Sequence, residues 1–132
     1  MKGEKTMTGY EVKIIESSKE LTARERISLK NFDEMIALDE VVNSETPKIT
    51  IDVSGYVVAS VHNEKSDNVD YEKYIIIGKD GQRYITGSQP FFSSFKEIWD
   101  EMKGENEDWG ITVYKRESNN YKGKSFLTCT IC

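Results

Sequence analysis

A mainly β domain with one α-helix is the fold class this sequence predicts, and three features predict it. Residues 49–62 alternate apolar and polar side chains over an unusually long stretch, and an Asp-Gly pair at 80–81 sits between two apolar runs. Residues 90–102 then break the period of two, with large apolar side chains at helical spacing. At 132 residues and 15.2 kDa the chain is the size of one domain, 1–132, long enough to close a core without metals or disulfides. Charged residues are 31% and hydrophobic residues 37%, which favours a soluble protein; no apolar run nears the roughly 18 residues of a membrane span.

Residues 1–9 read as a flexible lead-in. They carry lysines with no apolar run behind them, so a secretory signal is not expected and the cytoplasm is the expected location. Residues 10–16, YEVKIIE, and 24–32, RERISLKNF, are rich in branched side chains and read as strands. Residues 33–48 are ambiguous: EMIALDEVV could form a short helix, ended by the Pro-containing polar cluster NSETPK.

The long strand follows. Ile49, Ile51, Val53, Val57, Ala59 and Val61 share one parity, expected in the core, and Thr50, Asp52, Ser54, Tyr56, Ser60 and His62 the other, expected in water. Gly55 interrupts it and suggests a bulge where the sheet curls. After the polar loop NEKSDNVD, residues 71–88 make two strands joined at Lys79-Asp80-Gly81. The one clear helical pattern runs over 90–102, with Ser88 or Gln89 as cap, Pro90 in its first turn, and Phe91, Phe95, Ile98, Trp99 and Met102 as its apolar stripe. A final hairpin pairs 111–116 with 124–131. This order, a long bent strand, a hairpin, a helix and a closing hairpin, is that of an OB-fold: a small curled antiparallel barrel with its helix between the third and fourth strands. A plain sheet with one helix across it is the competing architecture.

The chemistry of the sequence concentrates in YKRESNNYKGKSF, residues 114–126. The whole chain has net charge -5, yet Lys115, Arg116, Lys122 and Lys124 here face one carboxylate, Glu117, while 97–108 holds six carboxylates and one lysine. Parity places Ile111, Val113, Leu127, Cys129 and Ile131 in the core. It places Tyr114, Arg116, Lys124 and Phe126 outside, with Tyr56, Tyr74 and Tyr84 expected on the outer face of the neighbouring strands. Rings that stack on unpaired bases and cations that follow phosphates are what single-stranded nucleic acid requires, and Tyr121 and Lys122 in the turn add one of each. The same mixture also decorates sheet faces that bind nothing, and composition leaves both readings open.

Enzymatic chemistry is not expected. His62 is the only histidine; it suggests no Ser-His-Asp or Cys-His arrangement and leaves too few nitrogen and sulfur ligands for structural zinc, and GKDG lacks the spacing of a phosphate loop. Cys129 and Cys132 form CTIC at the end of a strand instead of at a helix start, so Cys129 is expected as a core residue and Cys132 as a plain thiol. No metal and no cofactor is expected.

The segment IGKDGQRYITGSQPFFSSFKEIWDEM, with the strand, SNNYKGKSF turn and strand that follow, resembles the small single-stranded DNA-binding proteins of tailed phages, above all those of protein-primed Bacillus phages. The resemblance covers about residues 49–131 and rests on pattern and order. It implies an OB-like fold and cooperative, sequence-tolerant coating of single-stranded DNA during replication in an infected host cell. Residue by residue it reaches Tyr84, Lys122 and Lys124. Residues 1–48 have no counterpart in it, and the acidic tail by which many such proteins recruit partners is replaced here by a strand. Replication proteins would then be met through the acidic helix face, Asp100–Asp108, and an oligomer is compatible with the pattern. The second reading is a small acidic phage protein that inhibits a host enzyme or defence complex through that acidic face.

Overall fold

The computed structural model describes residues 9–118 and 123–132. Seven strands form one curled sheet: β1 (Tyr10–Ser17), β2 (Ile36–Ala37), β3 (Lys48–Asn63), β4 (Asp70–Gly78), β5 (Arg83–Thr86), β6 (Gly110–Glu117) and β7 (Ser125–Ile131). Three helices accompany them, α1 (Ala23–Leu29), α2 (Leu38–Val41) and α3 (Gln89–Met102), with a 3-10 turn at Phe32–Glu34. The mainly β class is as expected, and the single helix becomes three.

β3 organises the sheet by changing partners along its length. Residues 48–52 pair with β6, 53–62 with β4, and 57–63 with β1, all antiparallel. The order is β2-β5-β4-β3-β6-β7, with β1 also on β3 and a short parallel β2–β5 contact at one end. Among the described residues no pairing joins β5 to β7, so the sheet stays open. Instead α3 runs beside β7, where Ser88 Oγ donates to the Leu127 carbonyl at 3.4 Å and Ser94 Oγ lies 3.2 Å from Thr128 Oγ1.

A bulge at Gly55 sets which side chains are buried. Between Val53, opposite Gly78, and Gly55, opposite Ile77, β3 carries one residue more than β4. A Cβ on Gly55 would lie 2.6 Å from Ser18 Oγ, which accepts the Tyr56 N–H at 3.0 Å, so a side chain cannot occupy this corner. An extra residue reverses the side-chain alternation. Before it, Ile51 and Val53 face α3; after it, Tyr56 and Val58 do. Val57, Ala59 and Val61 turn to the opposite face, against β1, α1 and the 3-10 turn, where Leu29, Phe32 and Met35 cover them. The expected single wet parity therefore fails over residues 56–59, where both faces of β3 are buried, while Ser60 and His62 stay half-buried.

Residues 24–32 are not a strand. Thr22 accepts the Glu25 N–H at 3.1 Å and Glu25 accepts the Thr22 N–H at 2.9 Å, a reciprocal cap that starts α1, and Leu29 is its buried contact. α3 begins as its sequence requires, with Ser88 Oγ accepting the Phe91 N–H at 3.2 Å and Pro90 in the first turn. Its buried Phe95 meets Tyr56 and its buried Phe91 stacks on Phe95, and each such ring removed from water contributes about 1.5–3 kcal/mol. Ile131, expected in the core, is 45% exposed. Among the described residues no helix is long and apolar enough to cross a membrane.

Candidate functional site

The surface in question is built by the first part of β3 with β6 and β7. The register aligns Thr50, Thr112 and Thr130 in one row, Lys48, Tyr114 and Thr128 in the next, and Arg116 with Phe126 in the third. Beyond the strands, the Ser118 N–H donates to the Lys124 carbonyl at 2.8 Å and continues the ladder. Ile111, Val113, Leu127 and Cys129 fill the inner face and anchor this hairpin in the core. Lys48, Thr50, Arg116, Lys124 and Thr130 are exposed on the outer side, Tyr114 and Phe126 are half-buried, and Thr128 is roofed by Ser94 of α3. Tyr114, Arg116, Lys124 and Phe126 thus share a surface, as their parity indicates.

Electrostatically this face is unquenched. Among the described residues no ion pair engages Lys48, Arg116 or Lys124, and neither the Tyr114 nor the Phe126 ring contacts another ring. Asp52, one row beyond Thr50, is the carboxylate that borders it. Lys48 is the member that a reading of the last hairpin alone passes over. Its parity with Thr50 and Asp52 was the available signal.

Four of the other expected site residues lie elsewhere. Tyr56 and Tyr74 are each 4% exposed and lie beneath α3: Tyr74 stacks on Phe92 at 4.4 Å, and Tyr56 meets Phe95 and Trp99 edge-on at 5.6 and 5.2 Å. Their hydroxyls donate to Glu16 at 2.6 Å and to Glu72 at 3.2 Å, and burial first, then these carboxylates, pushes both phenol pKa values up. They are core residues, because the Gly55 bulge turned Tyr56 inward and Tyr74 opposes Val58 across the pair. Tyr84 lies on the same α3 side, opposite Ile76 and half-buried against the core. Lys115 has the inner parity, opposite Leu127, and its Nζ donates to the Asp39 carbonyl at 3.0 Å. Tyr121 and Lys122 lie outside the described residues.

No family model, curated protein or solved structure matches this chain.

Two other polar regions complete the surface. His62 ends β3 between two carboxylates, with Nδ1 2.7 Å from Asp70 and Nε2 3.3 Å from Glu64, and those hydrogen bonds hold its pKa above the ordinary 6.5. It is a polar anchor at the rim of an open groove with Gly9, Glu11, Lys13 and Ser60. The acidic end of α3 and the loop that follows it are exposed at Asp100, Glu101, Glu105, Glu107 and Asp108. Lys96 and Lys103 approach Asp100 at 3.3 and 3.7 Å, and Lys79 pairs with Asp108, so part of that charge is neutralised internally. Among the described residues no cluster of three His, Cys, Asp or Glu side chains could hold a metal ion. Cys129 is buried, its thiol pKa pushed up to about 12 by burial, and Cys132 is exposed.

Proposed function

We propose that this protein binds single-stranded DNA without sequence preference, as a small non-enzymatic coating protein of the kind tailed phages use in replication. The observation that carries the reading is the outer face of β3, β6 and β7, where Tyr114 and Phe126 stand among Lys48, Arg116 and Lys124 with no internal ion pair among the described residues. Stacking on two rings supplies about 1–3 kcal/mol per base whatever the base, and free cations follow phosphates. The overall charge of -5 is no obstacle, since local potential governs ligand attraction. An OB-like reading of the chain from β3 onward accompanies this: strand, strand, strand, helix, strand, strand, with α3 standing where the closing pair of a full barrel would be.

A gel-shift comparing oligothymidylate with duplex of equal length tests it. The single strand is expected to shift at low salt and the duplex to shift less. Tyr114→Ala should weaken single-strand binding by about 1–3 kcal/mol and leave the salt dependence unchanged, because stacking releases no counterions. Absence of any single-strand complex at low salt refutes the reading.

A further inference from the structure

Resting on that reading, we propose a path for the bound strand: its backbone crosses the face diagonally over Lys48, Arg116 and Lys124, and two successive bases lie on Tyr114 and Phe126. The path excludes Lys115, although Lys115 lies within the most basic stretch of the sequence.

The register alone generates this line. Lys48 is on β3 in the row of Tyr114; Arg116 is one strand over, on β6, in the row of Phe126; Lys124 is one strand further, where Ser118 and Lys124 continue the β6–β7 ladder. Each step therefore moves one strand sideways, about 4.8 Å, and two residues along, about 6.8 Å, so successive cations stand about 8 Å apart. Flexible Lys and Arg side chains can match that interval to the phosphate repeat of an extended single strand. Tyr114 and Phe126 obey the same rule, one strand over and one row along, so the ring line runs parallel to the cation line and one strand beside it. Backbone on one line and bases on the other is the arrangement a single strand needs.

The borders are also defined. On the side of Lys48 away from Arg116, the next two rows hold the threonines Thr50, Thr112 and Thr130 and then Asp52, whose carboxylate repels phosphate. Thr128, which would otherwise extend the row of Lys48 and Tyr114, is closed off by Ser94. Lys115 points to the other side of β6, where it is held by the Asp39 carbonyl and lines a hollow with Val42, Asn43, Ser44 and Pro47.

The test is fluorescence anisotropy of labelled oligothymidylate against salt for the full chain and four charge reversals. Lys48→Glu, Arg116→Glu and Lys124→Glu are each expected to make the slope of log affinity against log salt shallower by about 0.7, the share of one phosphate on a single strand. Lys115→Glu is expected to leave the slope at the wild-type value. Lys48 and Lys115 are both exposed, so circular dichroism and thermal midpoints should match wild type, and Lys48→Gln repeats the test without adding a charge. If the wild type binds but Lys48→Glu keeps the full slope, or Lys115→Glu lowers it equally, the path is wrong and single-strand binding stands. If the wild type binds no single strand, the functional reading and the path fall together.

Discussion

Replacing Phe95 by alanine tests the packing of α3 against one face of the sheet. Phe95 is fully buried, and its ring centre lies 5.6 Å from Tyr56, 6.3 Å from Phe91, 6.2 Å from Phe92 and 6.1 Å from Trp99. Truncation loses the transfer energy of the ring and leaves a cavity walled by rings that cannot easily close on it, so the cost is about 3–5 kcal/mol. Against a total stability of about 5–15 kcal/mol, that is a large fraction. With 132 residues at about 2.1 cal/mol/K each, the unfolding entropy is about 0.28 kcal/mol/K, and the midpoint should fall by about 11–18 °C. Differential scanning calorimetry reads this directly, and near-ultraviolet circular dichroism should lose the aromatic signal at lower temperature in parallel. Ile27→Ala is the control: Ile27 is 71% exposed on α1, and its loss should move the midpoint little. A Phe95→Ala midpoint within a few degrees of wild type would mean that α3 is not pinned to the sheet. Trp99, half-buried, should cost less than Phe95.

Two further outcomes follow from side-chain environments. His62 has its folded pKa raised above 6.5 by Asp70 and Glu64, so its stabilising contribution is complete below about pH 6.5 and is lost as pH rises through the raised value; an NMR titration of the imidazole should give that raised value, and His62→Gln should flatten the stability profile in this window. A thiol titration at about pH 8 should find Cys132 reacting at once and Cys129 only after denaturant, because a pKa of about 12 leaves roughly one thiolate in ten thousand; two fast thiols in the folded protein would contradict the burial of Cys129.

Local signals in the sequence carried the second half of the chain. The Asp-Gly turn, the Ser88 cap with Pro90, and the alternation in β6 and β7 each depend on a few neighbouring residues, and each element stands where those residues put it. The first half was harder. RERISL carries branched side chains that suit a strand, but the decisive feature was Thr22 three residues before Glu25, which outweighs weak propensity at a helix start. β3 shows a different limit. A glycine in a long strand signals a bulge, yet the sign of the consequence depends on which partner strand is one residue short, and only the pairing with β4 reveals it. Tyr56 was misplaced for that reason alone, and Tyr74 with it, since the two side chains follow one another onto the same face under α3. The outer face of the last hairpin was legible because no bulge lies between Lys48 and Phe126 in the register. Lys115 stands apart from that face because its parity assigns it to the inner side, whereas the charge of the segment alone groups it with its neighbours.

The bulge also explains why the free face is where it is. From Gly55 to Ala59, β3 is covered twice: by α3 on one side, and by β1's loop, α1 and the 3-10 turn on the other, with Leu21, Leu29, Phe32 and Met35 packed against Val57, Ile75, Val61 and Ala59. That half of the sheet is committed to stability, and its aromatic side chains serve the core. Before Gly55, only the α3 side is covered, because every residue from Leu21 to Met35 that packs on the other side does so against the far half. Among the described residues, the outer side of residues 48–52 and of β6 and β7 therefore has no covering element apart from Ser94 over Thr128. An uncovered sheet face needs polar side chains to stay soluble, and threonines suffice for that, as Thr50, Thr112 and Thr130 demonstrate in one row. The next rows depart from that minimum: they carry two large rings that form no ring pair and three cations without carboxylate partners among the described residues. Solubility does not require the rings, and stability does not require the cations. Under the proposed function, a ligand with flat apolar faces and a negative backbone would account for both, which is why that proposal rests on this face and on no other described part of the chain.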